Sequence, residues 1–215
     1  MKTDMGRMFG FAYGEKENGA VFSHMAVMFA NALYQRGFAK EGYKALNSLY
    51  RQSMNTERSR IYPGVPEYFG AGGRGLYHYL TGAASWYMLT VVTQMFGVRG
   101  TDGHFVAEPK LLASQFTHMG NRCDTSSVNA PSLSVCPVCG IDLTLMNKKW
   151  HIEYQNPDRA DYGEYEIGDV SLDGCRIFGT DITISGGMLK LSKNIVDGLE
   201  ETEVHHLIIT LLKKK

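Results

Sequence analysis

From Val21 onward the apolar residues Val21, Phe22, Met25, Met28, Phe29, Ala32 and Leu33 recur at helical spacing, and Arg36-Gly37 supplies a glycine to end the helix. Few charges interrupt this segment, so nearly all of it must be covered by other structure. A second helix is expected over residues 39–54. Tyr43, Leu46, Tyr50 and Met54 form its apolar stripe, and Lys40, Glu41, Lys44 and Arg51 occupy its other faces, so it is amphipathic and peripheral. The prolines and glycines from Tyr62-Pro63-Gly64-Val65-Pro66 through Gly70-Ala71-Gly72-Gly73-Arg74-Gly75 predict an irregular stretch. A third helix, over residues 82–96, starts behind Thr81 as N-cap and ends near Gly97.

After about Gly100 the period changes from 3.6 to two. Ile141–Leu145, Trp150–Tyr154, Tyr165–Ile167, Val170–Gly174 and Val204–Leu211 alternate or form short apolar runs broken by Gly, Asn and Asp, which predicts an antiparallel β-sandwich. Residues 120–135, rich in Ser, Asn and Thr, read as a loop. The expected class is α+β, with a helical part over residues 1–100 and a sheet domain over 101–215.

Composition then narrows the function. The 215 residues carry 22 basic and 22 acidic side chains, so a nucleic-acid binder working through backbone charge is excluded. A 44% apolar and 20% charged composition belongs to a folded chain with a core. Four cysteines and no Asn-x-Ser/Thr site lean towards a reducing cytoplasm. Met1 to Arg7 lacks the apolar core of a signal peptide, so no export is expected. Gly75 to Val98 has no Asp, Glu, Lys or Arg, but its many polar groups, His78 among them, argue for a helix buried in protein and against a membrane span.

Four segments are candidates for chemistry. Gly70 to Gly75 spells the dinucleotide pattern G-x-G-x-x-G, but no apolar strand precedes it, the next helix opens later, and the first acid downstream is Asp102; it reads as a loop. Cys136-Pro137-Val138-Cys139 is a C-x-x-C knuckle that suggests half of a zinc ribbon; Cys123 and Cys175 are single, so a closed site would have to be assembled across the sandwich, and free buried or loop thiols with no metal are the expectation. Lys16-Glu17-Asn18-Gly19-Ala20-Val21-Phe22-Ser23-His24 packs ionisable and amide groups at the mouth of a buried helix, where each needs a partner or a ligand. Capping by Asn18 and an interior His24 are the plain alternative. Leu80-Thr81-Gly82-Ala83-Ala84-Ser85-Trp86 puts a hydroxyl and free helix N–H groups together among small residues, which suits an anion, or else is an ordinary N-cap.

Taken together, these last two segments resemble the C-terminal part of glycoside hydrolase family 94, the inverting disaccharide phosphorylases. The matching residues are Lys16 to His24, Tyr62 to Tyr68, Leu80 to Trp86, Phe96-Gly97-Val98-Arg99-Gly100 and Glu108-Pro109-Lys110-Leu111, with fainter echoes at Tyr154-Gln155-Asn156-Pro157 and Tyr162-Gly163-Glu164-Tyr165. Ala20 and Ala83 depart conservatively from the family pattern. The resemblance implies the last helices of an (α/α)6 barrel followed by a jelly-roll-like β-sandwich. It implies that His24, Thr81 and the Gly82 backbone hold phosphate, that Glu17 binds the transferred sugar, that Lys16 contacts the acceptor sugar, and that Glu67 belongs to the acceptor-side loop. In such enzymes a carboxylic acid protonates the glycosidic oxygen while phosphate attacks the anomeric carbon from the opposite face.

The family's general-acid aspartate and phosphate-binding arginine are expected upstream of Lys16, and no matching segment occurs here. The expected function is therefore one part of a cytoplasmic glycoside phosphorylase acting on a β-linked glucose oligosaccharide, with inorganic phosphate as co-substrate and no cofactor. The expected partners are oligosaccharide and phosphate, together with self-association or the missing N-terminal part of the enzyme. No nucleic acid or membrane is expected. The alternatives are a hydrolase of the same fold and a non-catalytic carbohydrate-binding remnant.

Overall fold

The structure is a computed structural model that describes residues 3–62, 64–77, 82–121 and 135–214. The chain forms two compact units, Met1–Met95 and Phe96–Lys215.

In the first unit, a 3-10 segment, Thr3–Gly10, precedes strand β1 (Val21–Phe22) and helix α1 (Ser23–Gln35). Helix α1 therefore starts two residues later than its apolar periodicity predicts, because Val21 and Phe22 pair as a strand. Its end is a Schellman motif: Gly37 N–H donates to Tyr34 O at 3.0 Å and Phe38 N–H to Leu33 O at 2.9 Å, with Gly37 at φ 82°. Helices α2 (Ala39–Met54) and α3 (Thr56–Ser59) follow, then strands β2 (Tyr68–Phe69) and β3 (Gly75–Leu76) and helix α4 (Gly82–Thr90). A wider, π-helical turn over Val91–Met95 continues α4, and a buried hydrogen bond from Asn31 Nδ2 to Thr90 Oγ1 (3.0 Å) ties it to α1.

Two expectations for this unit are corrected. The stretch around Gly70 is not wholly irregular, since β1, β2 and β3 make a small antiparallel sheet whose Gly70–Arg74 turn ends the β2–β3 hairpin. The buried stripe of α2 is Ala39, Gly42, Leu46, Leu49 and Ser53, whereas Tyr50 and Met54 are exposed. Gly42 explains the switch: a Cβ there would lie 2.7 Å from the ring of Tyr34, which is fully buried, so α1 and α2 approach through a glycine. Within this chain the apolar face of α1 stays open: Met25 and Phe29 are 68% and 62% exposed, as is Val21 of β1 at 60%, so the cover that its hydrophobicity calls for is not supplied by the described residues.

The second unit has two sheets. One holds β4 (Val98–Thr101), β5 (His104–Ala107), β11 (Ile182–Ser185) and β12 (Met188–Leu191) in the order β11-β12-β5-β4. The other holds β6 (His118–Asn121), β7 (Val135–Leu145), β8 (Lys148–Gln155), β9 (Tyr165–Leu172), β10 (Cys175–Arg176) and β13 (Val204–Lys213) in the order β10-β9-β13-β8-β7-β6. A short helix, α5 (Lys193–Asp197), precedes β13. The sheets share a sandwich-like core in which Phe105 meets Trp150 with ring centroids 4.6 Å apart, beside Ile152, Tyr154, Leu189, Leu191, Leu207 and Ile209.

The period-two segments lie in β7, β8, β9 and β13, with Tyr165–Ile167 and Val170–Leu172 joined in one strand that ends in a turn at Asp173-Gly174, but the expectation of a wholly antiparallel sandwich is corrected. Strand β13 inserts between β8 and β9 and runs parallel to β8, from Val204 opposite Lys149 to Thr210 opposite Gln155. Such a pair needs a long crossover, which alternation within either strand does not encode. Part of the expected loop over residues 120–135 is also strand, as β6 pairs with Val135–Val138; residues 122–134 lie outside the described residues. No helix among the described residues is long and apolar enough to cross a membrane.

A buried histidine fastens the β13 end of this unit. His205 Nδ1 faces Asp173 Oδ2 and His205 Nε2 faces Glu200 O, each at 2.8 Å. Both partners only accept hydrogen bonds, so the arrangement is complete when both ring nitrogens carry protons. Burial pushes the His205 pKa down, but the Asp173 hydrogen bond and charge and the Glu200 carbonyl outweigh it, leaving the pKa above the ordinary histidine value.

Two predictions follow from the packing. In Gly42→Ala the gain in helix propensity, about 1 kcal/mol, is exceeded by overpacking against Tyr34, roughly 1–3 kcal/mol, so thermal melting reads a loss of stability; a higher melting temperature would mean that the Tyr34 ring yields. Because the folded pKa of His205 is raised, its stabilisation is complete below the unfolded value of about 6.5 and is lost as pH rises through the folded value. Denaturant titrations across that range detect this loss, and Asp173→Asn removes the pH dependence.

Candidate functional site

The segment before β1 is a tight loop. Gly14 N–H donates to Asn18 O at 2.6 Å, Asn18 Nδ2 to Phe11 O at 2.9 Å and Ala20 N–H to Lys16 O at 3.3 Å, while Lys16 takes a left-handed φ of 45°. The β1–β2 pairing continues as Ser23 N–H to Glu67 O at 2.9 Å, and Glu67 N–H donates to Tyr77 O at 2.8 Å. This frame brings Lys16, Glu67 and Tyr77 together.

Lys16 Nζ donates to Glu67 Oε2 at 3.1 Å and lies 3.9 Å from the Tyr77 ring centroid and 5.1 Å from that of Tyr68. The two residues expected on the acceptor side therefore form an ion pair, and two aromatic faces flank the ammonium. Desolvation pulls the Lys16 pKa down, but the Glu67 hydrogen bond and charge outweigh it and leave it raised. Glu17 is held separately: Arg7 Nε and Nη2 both donate to its Oε1, at 2.9 and 2.7 Å. The Arg7 hydrogen bonds hold the Glu17 pKa below the usual carboxylate range.

His24 lies in the first turn of α1. A Cβ at Gly82 would be 3.3 Å from its Cε1 and 3.4 Å from its Nδ1, so the first residue of α4 lies against the imidazole, and the Trp86 ring sits 5.8 Å away. The start of α4 thus meets the first turn of α1. Neither helix has an acidic residue in its first turn, and Phe22, at the α1 N-cap, gives no side-chain cap. His24 Nε2 and Ser23 Oγ are both buried with no hydrogen-bond partner among the described residues. Two helix N-termini, with partly positive N–H groups and no carboxylate to neutralise them, beside an imidazole nitrogen without a partner, make a local environment suited to an oxyanion. Thr81 lies outside the described residues.

Sequence reasoning missed Arg7, Tyr68, Tyr77 and Trp86 as neighbours of these groups. Arg7 is ten positions from Glu17 and belongs to no periodic pattern, so no sequence signal pairs them. Trp86 was detectable, being four residues from Gly82 and so on the same helix face.

The remaining candidates do not join this site. In the Gly70–Arg74 turn, Gly70 N–H donates to Arg74 O at 2.9 Å and strand β3 follows, so no helix opens from the glycines to receive a phosphate. The turn borders a cleft of about 540 Å³ lined by Val21, Phe29, Leu49, Phe69 and Gly72. Cys136 and Cys139 both lie on β7, three positions apart, so they point to opposite sheet faces and cannot chelate one ion as a knuckle does. Burial pushes the Cys139 thiol up to about 11. Cys175 is exposed on β10, and Cys123 lies outside the described residues. No group of three or more His, Cys, Asp or Glu among the described residues is placed to hold a metal ion.

No protein-family model matches the chain. A cellobionic acid phosphorylase of Neurospora crassa is 27% identical over 126 residues, which is 53% of this chain and 16% of that protein. The matched region is thus about a sixth of the relative's length. Over about half of its residues this chain is distantly similar to part of a phosphorylase.

Proposed function

We propose that this chain supplies the phosphate-holding side, and part of the sugar-holding side, of a glycoside phosphorylase of the glycoside hydrolase family 94 type. The observation that carries the reading is His24: its buried Nε2 has no hydrogen-bond partner among the described residues, and its ring lies against Gly82 where α4 begins. Phosphate bound there accepts from the imidazole and from helix N–H groups, with Thr81 as a further donor. Water needs no such anion site, so phosphorolysis is favoured over hydrolysis. In the reaction a phosphate oxygen attacks the anomeric carbon of a β-linked glucose oligosaccharide as the bond to the glycosidic oxygen breaks. The leaving oxygen takes a proton from a carboxylic acid, and the product is a sugar 1-phosphate of inverted configuration. That acid is an aspartate supplied from outside these 215 residues.

Glu17, kept ionised by Arg7, accepts from hydroxyls of the transferred sugar. Lys16 and Glu67, locked as a pair beside Tyr68 and Tyr77, face the acceptor; the distant relative is a phosphorylase of cellobionic acid, and for an anionic acceptor of that kind the Lys16 ammonium supplies a counter-charge. Helices α1, α2 and α4 are the last helices of an (α/α)6 barrel, and the open apolar face of α1 packs on helices contributed by the rest of the enzyme.

The reading is tested in the longest protein that contains this chain by measuring sugar 1-phosphate release with and without inorganic phosphate. Loss of a charge-assisted hydrogen bond is worth about 1.5–3 kcal/mol, so His24→Ala raises the KM for phosphate by about tenfold or more while the KM for sugar changes little. An equal rise in both, or release that ignores phosphate, overturns the assignment. The 215-residue chain alone self-associates through Met25 and Phe29, and light scattering follows its dissociation in Met25→Glu/Phe29→Glu. A wild-type chain that stays monomeric at high concentration counts against the barrel reading.

A further inference from the structure

On the outer face of the larger sheet, β7, β8 and β13 set Asp142, His151 and His206 in one row. Asp142 is opposite His151, and His151 is opposite His206. Their neighbours Trp150, Ile152, His205 and Leu207 point inward and are buried. His151 Nδ1 lies 2.6 Å from Asp142 Oδ1. A carboxylate accepts and cannot donate, so in the neutral ring the proton sits on Nδ1 and Nε2 keeps its lone pair. Histidine ligands are oriented by carboxylates in this way in metal sites. The His206 ring makes no hydrogen bond among the described residues, and its centroid is 5.2 Å from that of His151 with the planes 53° apart.

That spacing fits a shared ion. Two imidazoles bound at about 2.0–2.1 Å, with an angle at the metal between about 90° and tetrahedral, have ring centres about 4.5–5.2 Å apart. Lys149, two positions before His151 on the same face, directs its ammonium to Thr202 O at 3.4 Å, so its charge is engaged by the loop before β13. We propose that His151 Nε2 and His206 form a two-histidine site for a divalent transition-metal ion such as Zn²⁺, oriented by Asp142 and completed by water. The ion bridges β8 and β13, the parallel pair of this sheet, and so fastens β13 in place. A ligand that binds only the folded state raises its stability by mass action.

The test titrates the full chain with Zn²⁺, cysteines reduced, and follows the histidine imidazole NMR signals and the melting temperature. The His151 and His206 signals shift together to a one-to-one end point and the melting temperature rises; a chelator reverses both. His206→Ala abolishes the His151 shift and the thermal gain. Asp142→Asn, at a largely exposed aspartate, weakens binding by about 10–100-fold, the usual effect of losing an outer-shell partner. Unmoved His151 and His206 signals at saturating Zn²⁺ overturn the proposal. So does a thermal gain that persists undiminished in His206→Ala, which would put the metal on the thiols.

Discussion

The pairing of Val21–Phe22 with Tyr68–Phe69, extended by Ser23 N–H to Glu67 O, is the constraint on which the candidate site depends. Two-residue strands have little strength of their own. This one is backed by the Phe22 and Tyr68 rings at 5.5 Å and by the Tyr68 and Tyr77 rings at 5.8 Å. The pairing sets the residue at which α1 begins, and hence the turn that carries His24. It also delivers the Glu67 carboxylate to Lys16. A shift of one residue in this register would turn Glu67 away from Lys16 and displace the start of α1.

Around that frame the polar groups are treated unequally. Lys16, Glu17 and Glu67 have partners of opposite charge, whereas His24 Nε2 and Ser23 Oγ are buried with no hydrogen-bond partner among the described residues. An unsatisfied buried polar group costs about 1–3 kcal/mol, so two in adjacent residues at a helix start are unlike ordinary packing. A bound anion would meet both needs, accepting from these groups and from the free N–H groups of α1 and α4. The same logic accounts for the lack of acidic residues in both first turns, since a carboxylate there would occupy the site from within.

The second unit uses its own polar residues for construction. Arg99 Nη2 bonds Glu108 Oε2 at 2.7 Å across the β4–β5 hairpin, and Asn156 exchanges side-chain hydrogen bonds with the Ala160 backbone at 2.9 and 3.0 Å. Tyr165 Oη donates to Pro109 O at 3.0 Å and accepts from Leu111 N–H at 2.9 Å. Several segments that carry the family resemblance in this half are thus joints of the sandwich.

The sequence by itself determined the places of α1, α2 and α4 to within a few residues and the segments that form β7, β8, β9 and β13, because periodicity and glycine stops act over a few residues; the four strands of the smaller sheet were not legible in it. Only the tertiary structure decided which stripe of α2 is buried, that β13 lies parallel to β8, that Arg7 holds Glu17, and that Gly82 meets His24. Those outcomes join residues eight to nearly sixty positions apart. They turn on close approach at glycines and on strand insertion, and a pattern read along the chain records neither.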